Sequence, residues 1–396
     1  MRPLDSDVVV VGAGPAGCLA ARTAAAKGMH VVLLEEHNEI GVPIHCAEGL
    51  SLNGIRDAGV EPVEPVVSQR ISRARVFAPG GSYVDLTSGD WVGYTLNRDV
   101  FDKALGELAV KAGAELLTRT VARSVLREDG AVIGVRAESG GEPLEVRARV
   151  VIGADGCGSV VRRSANLSRW YPDVVTCAQY RLGGLRLDDP EMNEFYVGFR
   201  YAPGGYAWVF PKSGEVANVG LGVRRIHAMP AVEYLKRFVV SDPRFKDALI
   251  LRRSGGVTPV SGVLDRIVDN GLMLVGDAAG QLVPMTGAGV HSGVEAGKMA
   301  GVVAAEAVEE GDVSAGRLSA YKVSFDRYWG RRIRDSRRVV ELLDRFGDDD
   351  LNLLAGVVTN EDVLNLANGT DVRRTLARIV ARSPGKVVRL LSSYLR

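Results

Sequence analysis

The sequence predicts an α/β chain. A parallel-sheet dinucleotide-binding unit is interrupted by an antiparallel-sheet domain, then resumes, and a helical region follows at the C-terminus. Three observations carry this. The N-terminus reads strand, glycine turn, helix, strand. Residues 176–260 alternate apolar and polar positions between turn clusters, and a second buried strand with a glycine turn returns near residue 272.

The first unit is "DVVVVGAGPAGCLAARTAAAKGMHVVLLEE". A run of four valines suits a parallel strand covered on both faces. The alanine-rich stretch from Ala16 to Lys27 suits a helix, and Gly28 closes it. "NRDVFDKALGELAVKAGAEL" predicts a second helix, with short strands following as far as "ARVVIGADG". The alternating segment then reads as an antiparallel sheet. "GLMLVGDAAG" returns to a buried strand, and "GVHSGVEAGKMAGVVAAEAV" is a long helix of small residues. From Ala315 to Arg396 the pattern is mostly helical. We expect a discontinuous dinucleotide-binding domain over residues 1–70, 93–170 and 260–314, a sheet domain over 71–92 and 171–259, and the helical region over 315–396.

Composition excludes several classes. The 396 residues are 46% hydrophobic and 24% charged, ordinary for a globular protein. A net charge of +1 gives no electrostatic case for nucleic acid. No apolar run is long enough to span a bilayer, and no signal-peptide layout precedes the first strand. A cytoplasmic or peripheral location is expected. Cys18, Cys46, Cys157 and Cys177 form no CxxC pair and no zinc spacing, so no metal is expected and a reducing compartment fits.

Gly12, Gly14 and Gly17 make GxGxxG between strand and helix. The first allows the tight turn, the second lets backbone approach a pyrophosphate, and the third lets helix and strand pack closely. The helix N-terminus then faces the phosphates. Glu35 ends the next strand about 20 residues on, where a carboxylate can accept from ribose hydroxyls; Glu36 is its rival in register. "VVIGADGCGSVVRR" adds Asp155 and Gly156 after a strand, with Arg162 beyond. "LMLVGDAAGQLVPMTGAGV" adds Gly276 and Asp277. Asp277 can hold ribityl hydroxyls, and Gly287 and Gly289 open a helix whose positive end suits a reduced flavin ring. Together these motifs indicate FAD rather than NAD.

The three motifs resemble the Rossmann-type, p-hydroxybenzoate hydroxylase-like flavoproteins, a class that includes aromatic hydroxylases, halogenases and geranylgeranyl reductases. "GVPIHCAEGLS" (residues 41–51) and "GYAWVFPK" narrow the resemblance to the geranylgeranyl reductases, especially the archaeal enzymes that saturate membrane lipid chains. It runs from about residue 5 to 310 and continues weakly beyond. It implies FAD contacts at Ala16, Glu35, Cys46, Ala47, Gly49, Arg98, Ala122, Asp277, Gly289 and Val290. "TGAGV" departs from the family's three consecutive glycines, but Ala288 still permits a helix start.

Arg98 has a separate argument. It starts a helix, where a cation opposes the dipole at a cost of roughly 0.3–1 kcal/mol, so it can be there to serve a phosphate; the plainer reading is a solvated arginine. Most cysteines are inert and buried, and Cys18, Cys157 and Cys177 read that way, although Cys157 follows the Asp-Gly pair. Cys46 differs, because Pro43, Glu48 and Gly49 make its loop irregular and the loop after the second strand passes near the flavin in this fold. Glu48 is either part of that site or a solvated loop acid. Tyr206, Trp208 and Phe210 share one strand face, and the family match makes them a wall for a long hydrocarbon. Pro211 ends the strand, Lys212 to Gly214 turn, and Asn218, Gly220 and Gly222 share a face of the return strand.

The implied reaction needs hydride from flavin N5 and a proton, because an isolated prenyl double bond is not an electrophile. Positive charge develops at the tertiary carbon. Aromatic faces tolerate it, and a dry site prevents water capture. Tyr206, Cys46 or a bound water could supply the proton. With no second GxGxxG unit, the electron donor is external: ferredoxin, a reduced deazaflavin or transiently bound NAD(P)H. A flavin monooxygenase or halogenase shares the FAD motifs, and a non-catalytic prenyl-lipid carrier that keeps FAD is the second rival. The substrate class lies in a bilayer, so peripheral membrane contact is expected. The tail offers basic Arg373, Arg374, Arg378, Arg382, Lys386, Arg389 and Arg396 interleaved with Leu376, Ile379, Val380, Val387, Leu390 and Leu391. That pattern allows an amphipathic helix on either side of Pro384. The alternative is a basic solvated face covering the domain core.

Overall fold

The computed structural model describes residues 4–87, 92–168, 170–224 and 229–385. The chain opens with β1 (Leu4–Val11), α1 (Pro15–Ala26) and β2 (Val31–Leu34). The two strands pair in parallel, Val8 opposite Val31. Val8, Val9 and Val10 are fully buried, which is why the strand is apolar on both faces.

Next come β3 (Gly49–Ser51), α2 (Leu52–Ala58), β4 (Val67–Ile71), β5 (Arg73–Phe77), β6 (Tyr83–Leu86) and β7 (Gly93–Leu96). They lead to α3 (Arg98–Lys111), β8 (Glu115–Leu117), β9 (Thr120–Glu128), β10 (Ala131–Ser139), β11 (Glu142–Gly153) and α4 (Val160–Ser164). The middle of the chain is β12 (Val174–Gly183), β13 (Met192–Val197), β14 (Tyr206–Pro211), β15 (Val216–Arg224), α5 (Ala231–Ser241) and β16 (Leu249–Pro259). β17 (Val268–Asp269), β18 (Leu272–Leu274) and α6 (Val290–Glu310) follow. Five helices complete the described chain: α7 (Ala315–Phe325), α8 (Arg331–Leu343), α9 (Asp348–Ala355), α10 (Asn360–Asn368) and α11 (Val372–Arg382).

Three sheets result. The first runs β17-β18-β11-β1-β2-β8, with β10 and β9 added antiparallel beside β11. Its central pairs are parallel. α1 packs on it together with α3 and α6. The small residues of α6 allow this contact, because a Cβ on Gly297 would collide with the carbonyl of Ala16. The second sheet runs β16-β12-β15-β14-β13-β5-β6, and a small third one runs β3-β7-β4. The second sheet is not wholly antiparallel, as the alternation predicts: β13 and β5 pair in parallel. These two strands come from distant parts of the chain, and the intervening domain serves as the long crossover a parallel pair requires.

The C-terminal helices close over the cavity face of the second sheet. The Asp348 carboxylate accepts from the amides of Phe199 (2.6 Å) and Arg200 (3.0 Å), and Asn352 Oδ1 accepts from the Gly80 amide at 2.6 Å. Arg224 on β15 pairs with both Asp173 and Asp344. The tail helix α11 lies on α10 and α8. Val372 and Ile379 are buried there, while Arg378 and Arg382 pair with Asp362. Part of its apolar face is thus covered by protein, while Leu376 is only half-buried and Val380 is exposed. Lys386, Val387, Arg389, Leu390, Leu391 and Arg396 lie outside the described residues.

Candidate active site

One cavity of about 2040 Å³ joins the glycine turn after β1 to the aromatic strand β14 and to the C-terminal helices. At the first end, Gly12 takes a positive φ of 98°, and a Cβ on Gly17 would run into the Gly12 carbonyl. A Cβ on Gly14 would meet no atom within 4 Å. Gly12 and Gly17 are thus needed for packing, and Gly14 leaves open the space a pyrophosphate would need. Ala16 and Ala122 also line this end. Glu35 is buried and braces the turn: Oε2 accepts from the Ala13 amide at 2.9 Å, and Oε1 from the amide (2.9 Å) and ring (2.7 Å) of His37. Glu36 is exposed, so the register favours Glu35.

Asp155 lines the cavity but is bound locally, accepting from Ser159 Oγ (2.6 Å) and the Val161 amide (3.0 Å) at the start of α4. Arg162 does not reach the cavity. It is buried with its guanidinium 4.1 Å from the centre of the Tyr171 ring. Cys157 is half-buried, and burial raises its thiol pKa to about 11. Asp277 sits at the head of α6, where its carboxylate would lie 3.1 Å from a Cβ on Gly289. Burial raises its pKa to about 6, against the opposing pull of Arg98. Gly287, Gly289 and Val290 line the same part of the cavity.

Arg98 is not a free phosphate cation. Its Nε and Nη2 donate to Asp102 at 2.8 and 2.7 Å, one helical turn on. Burial works against its charge, but Asp102 and the Cys46 thiol beside it more than compensate.

The Cys46 loop is tied down from beneath. Cys46 Sγ accepts from the Glu48 amide at 3.2 Å and lines the cavity. Glu48 is no solvated loop acid. It is fully buried with φ of 74°, a left-handed conformation that costs a non-glycine residue about 1 kcal/mol or more. Its carboxylate pairs with Arg181 on β12 and with Lys212 at 3.0 Å, and accepts from Asn218 Nδ2 on β15 (2.7 Å) and the Arg98 amide (3.1 Å). Burial raises the Glu48 pKa, but Lys212, Arg181, the Arg98 amide and Asn218 outweigh it and hold the group below the usual carboxylate range. Lys212 is not a turn residue facing water; its ammonium reaches back to Glu48 and the Leu96 carbonyl. Asn218 also donates to the Ala47 carbonyl (3.1 Å), and Gln179 donates to that of Cys46 (3.0 Å). Gly49 follows, with Phe210 3.0 Å from where its Cβ would stand.

Tyr206, Trp208 and Phe210 all face the cavity from β14. Trp208 Nε1 donates to Gln179 Oε1 at 2.9 Å, so the aromatic wall and the Cys46 loop share one glutamine. Gly220 lies beneath Trp208. Phe195 stacks edge-on against both Tyr206 and Phe210. The Tyr206 hydroxyl donates to the Thr286 carbonyl before α6, and burial raises its pKa. Cys177 also lines the cavity, with its thiol pKa raised by burial to about 11, so it is not simply core. Beyond this wall the lining is mainly apolar, with Val340 and Leu343 of α8, Leu351 and Leu354 of α9 and Leu364 of α10, and Asn365 and Asn368 add polar groups.

Sequence reasoning missed Gln179, Arg181, Lys212 and the α8–α10 lining. Lys212, directly after the aromatic stripe, was the one local signal: a lysine next to a buried strand calls for a partner. No group of His, Cys, Asp and Glu among the described residues could hold a metal ion.

A parallel sheet with this glycine turn, the Asp277 helix head and an inserted sheet defines an FAD-dependent oxidoreductase. The FAD-dependent oxidoreductase family profile matches residues 7–170. The geranylgeranyl reductase catalytic-domain profile matches residues 173–257, which hold the aromatic wall and Gln179, Arg181, Lys212 and Asn218. Digeranylgeranylglycerophospholipid reductase 2 of Methanopyrus kandleri is 40% identical over 96% of this chain and 97% of its own. The digeranylgeranylglycerophospholipid reductase of Methanothrix thermoacetophila is 42% identical over 96% of each. Among solved structures, a geranylgeranyl bacteriochlorophyll reductase-like protein from Thermoplasma acidophilum superposes with TM-score 0.89 at 33% identity, covering 99% of this chain and all of that one. The flavin-dependent brominase Bmp2, in a triple-mutant form, has TM-score 0.71 at 20% identity over 95% of this chain and 98% of its own, a likeness of fold alone. The chain belongs to the geranylgeranyl reductase family, and FAD is its cofactor.

Proposed function

We propose that this protein saturates isolated double bonds of geranylgeranyl chains in archaeal-type ether phospholipid precursors. The carrying observation is the continuous cavity that runs from the glycine turn past Cys46 and the β14 aromatics into a mainly apolar channel roofed by α8–α10. That shape suits a long hydrocarbon lying across a flavin.

Bound reduced FAD supplies the hydride. The chain's own residues supply the rest. Gly12, Gly14, Ala16 and Gly17 would cradle the pyrophosphate, Glu35 and Ala122 the adenosine end, and Asp277 the ribityl chain. Cys46, Ala47, Gly49, Gly287, Gly289 and Val290 would flank the ring, with Arg98 and Asp155 ordering the loops around it. On this reading the FAD-binding domain takes in residues 1–70, 93–170 and 260–314. Tyr206, Trp208 and Phe210 would wall the prenyl chain, keep it dry and face the positive charge that develops at the tertiary carbon. The Tyr206 proton is committed to the Thr286 carbonyl. Cys46 accepts the Glu48 amide at its sulfur and lines the cavity, so its own proton is the better placed of the two to reach the alkene. Hydride and a proton would add across one C=C bond, two electrons per bond coming from the reduced cofactor held by these residues and in turn from an external donor (ferredoxin, reduced deazaflavin or NAD(P)H). On this reading the lipid lies in a bilayer and the protein meets it at the membrane surface; no described helix is long and apolar enough to cross one.

The test is anaerobic. The flavin is photoreduced and a digeranylgeranyl lipid is added. Reoxidation of the flavin with gain of two hydrogens per bond is expected. A flavin that stays reduced would indicate a lipid carrier, and turnover only with oxygen would indicate a monooxygenase or halogenase.

A further inference from the structure

A second apolar surface lies outside the cavity. β16 is an edge strand that pairs only with β12 among the described residues. Along its Leu249–Arg253 end no other strand among the described residues pairs with it. Edge strands are normally blunted by charges, prolines or bulges on the open side. Here Leu249, Ile250 and Leu251 are 65%, 43% and 56% exposed. No other run of three consecutive large apolar side chains is exposed among the described residues. Neighbours in a strand point to opposite faces, so both rims of this edge are apolar at that end.

Charge follows directly. Lys246 and Asp247 stand before the apolar run, and Arg252 and Arg253 after it. None of the four has an ion-pair partner among the described residues, and the balance is positive. The nearby charges of α5 and its exit are mostly settled, Lys236 with Glu233 and Arg244 with Asp242.

The same strand then becomes part of the cavity. Ser254, Gly255 and Thr258 line it, and His45, next to Cys46, bonds the Gly255 carbonyl through Nδ1 at 2.6 Å. One strand thus runs from a bare apolar end with basic residues to the rim beside Cys46.

We propose that the Leu249–Arg253 end of β16 is the surface on which the protein rests against an anionic lipid bilayer, and that the prenyl chain enters the cavity along this strand. The proposal rests on the reading of a bilayer lipid as substrate. Exposed apolar side chains beside basic ones fit the headgroup boundary. A second copy fits less well, because joining two such edges would crowd four arginines into one short ribbon, where like charges repel.

The experiment is co-sedimentation of the FAD-loaded full chain with vesicles of phosphatidylglycerol and phosphatidylcholine. Leu249→Ser/Leu251→Ser should lower binding roughly tenfold. Arg253→Ser should lower it about fivefold and weaken its dependence on salt. Both variants should reduce a prenyl lipid in detergent micelles as the wild type does, and fall behind only when the lipid is held in vesicles. Equal sedimentation of wild type and variants overturns the proposal. So does a change of oligomeric state in the leucine variant with vesicle binding intact, which would give the edge to a second copy. A wild type that binds vesicles through this edge but fails to reduce lipid in micelles would overturn the enzymatic reading and leave the surface standing.

Discussion

Replacing Glu48 by glutamine removes one charge and almost no volume, and the structure sets what that should cost. The carboxylate is fully buried. Its partners are unequally placed: the Lys212 side chain is 6% exposed and that of Arg181 is 21% exposed. Arg181 can recover some hydration, whereas Lys212 cannot. Stripping one partner from a buried pair costs about 3–5 kcal/mol, mostly as the uncompensated charge left behind. The ceiling is set by Lys212 shedding its proton, which at neutral pH costs a lysine of ordinary pKa roughly 5 kcal/mol. Burial already lowers the Lys212 pKa, so the expected loss is about 3–4 kcal/mol. The assay is urea unfolding of the FAD-loaded protein in a double-mutant cycle of Glu48→Gln and Lys212→Met. A coupling of about 2 kcal/mol or more is expected. The sign with pH is fixed as well. The folded pKa of Glu48 lies below its unfolded value, so its contribution is complete above about pH 4 and is lost as pH falls through the folded value. Wild type and Glu48→Gln should therefore converge in acid. A coupling under about 0.5 kcal/mol, as for surface pairs, or a difference that ignores pH, would refute the reasoning.

Three further outcomes follow from the site. Cys46→Ser should keep FAD yet reduce alkene turnover at least tenfold or so, while Cys18→Ser, whose thiol is buried against the Ala13 carbonyl, should act on folding; equal turnover of Cys46→Ser and wild type in a single-turnover assay removes Cys46 from catalysis. FAD affinity should rise as pH increases through about 6, because Asp277 then ionises and can only accept from ribityl hydroxyls; Asp277→Asn should flatten that profile in a fluorescence titration. Gly220→Ala would place a Cβ 2.5 Å from Cζ2 of Trp208, forcing the ring off Gln179. It should cost about 1–3 kcal/mol of stability and raise KM for the lipid with FAD content unchanged, and an unaltered KM would show that Trp208 does not shape the channel.

What the sequence revealed and what it hid divide along the length scale of the interactions. The glycine turn was legible because strand, turn and helix lie within some thirty residues and each glycine answers a local steric demand. The β14 stripe was legible because alternation sets its face. The ion pair of Arg98, which lines the cavity, was overlooked although its partner is local. Asp102 stands four residues on, where an opposite charge on a helix is the expected neighbour, and the dipole argument alone passed over it. Glu48 was undecidable for a different reason. Its partners Arg181, Lys212 and Asn218 lie 133, 164 and 170 residues away, on or just after strands of another sheet, and a single charged residue carries no mark of the charge it will meet. The parallel pairing of β5 with β13 was hidden likewise, since strand patterns do not specify direction. The tail shows the limit from the other side. An amphipathic basic helix reads the same whether it faces lipid or α10, and only packing tells them apart. In α11, Val372 and Ile379 are buried and Arg378 and Arg382 pair with Asp362, whereas Val380 stays exposed. On β16 the exposed apolar run Leu249–Leu251 stands beside Arg252 and Arg253, neither in an ion pair among the described residues; alternation alone gives no warning of it, and it is the place to look for the membrane.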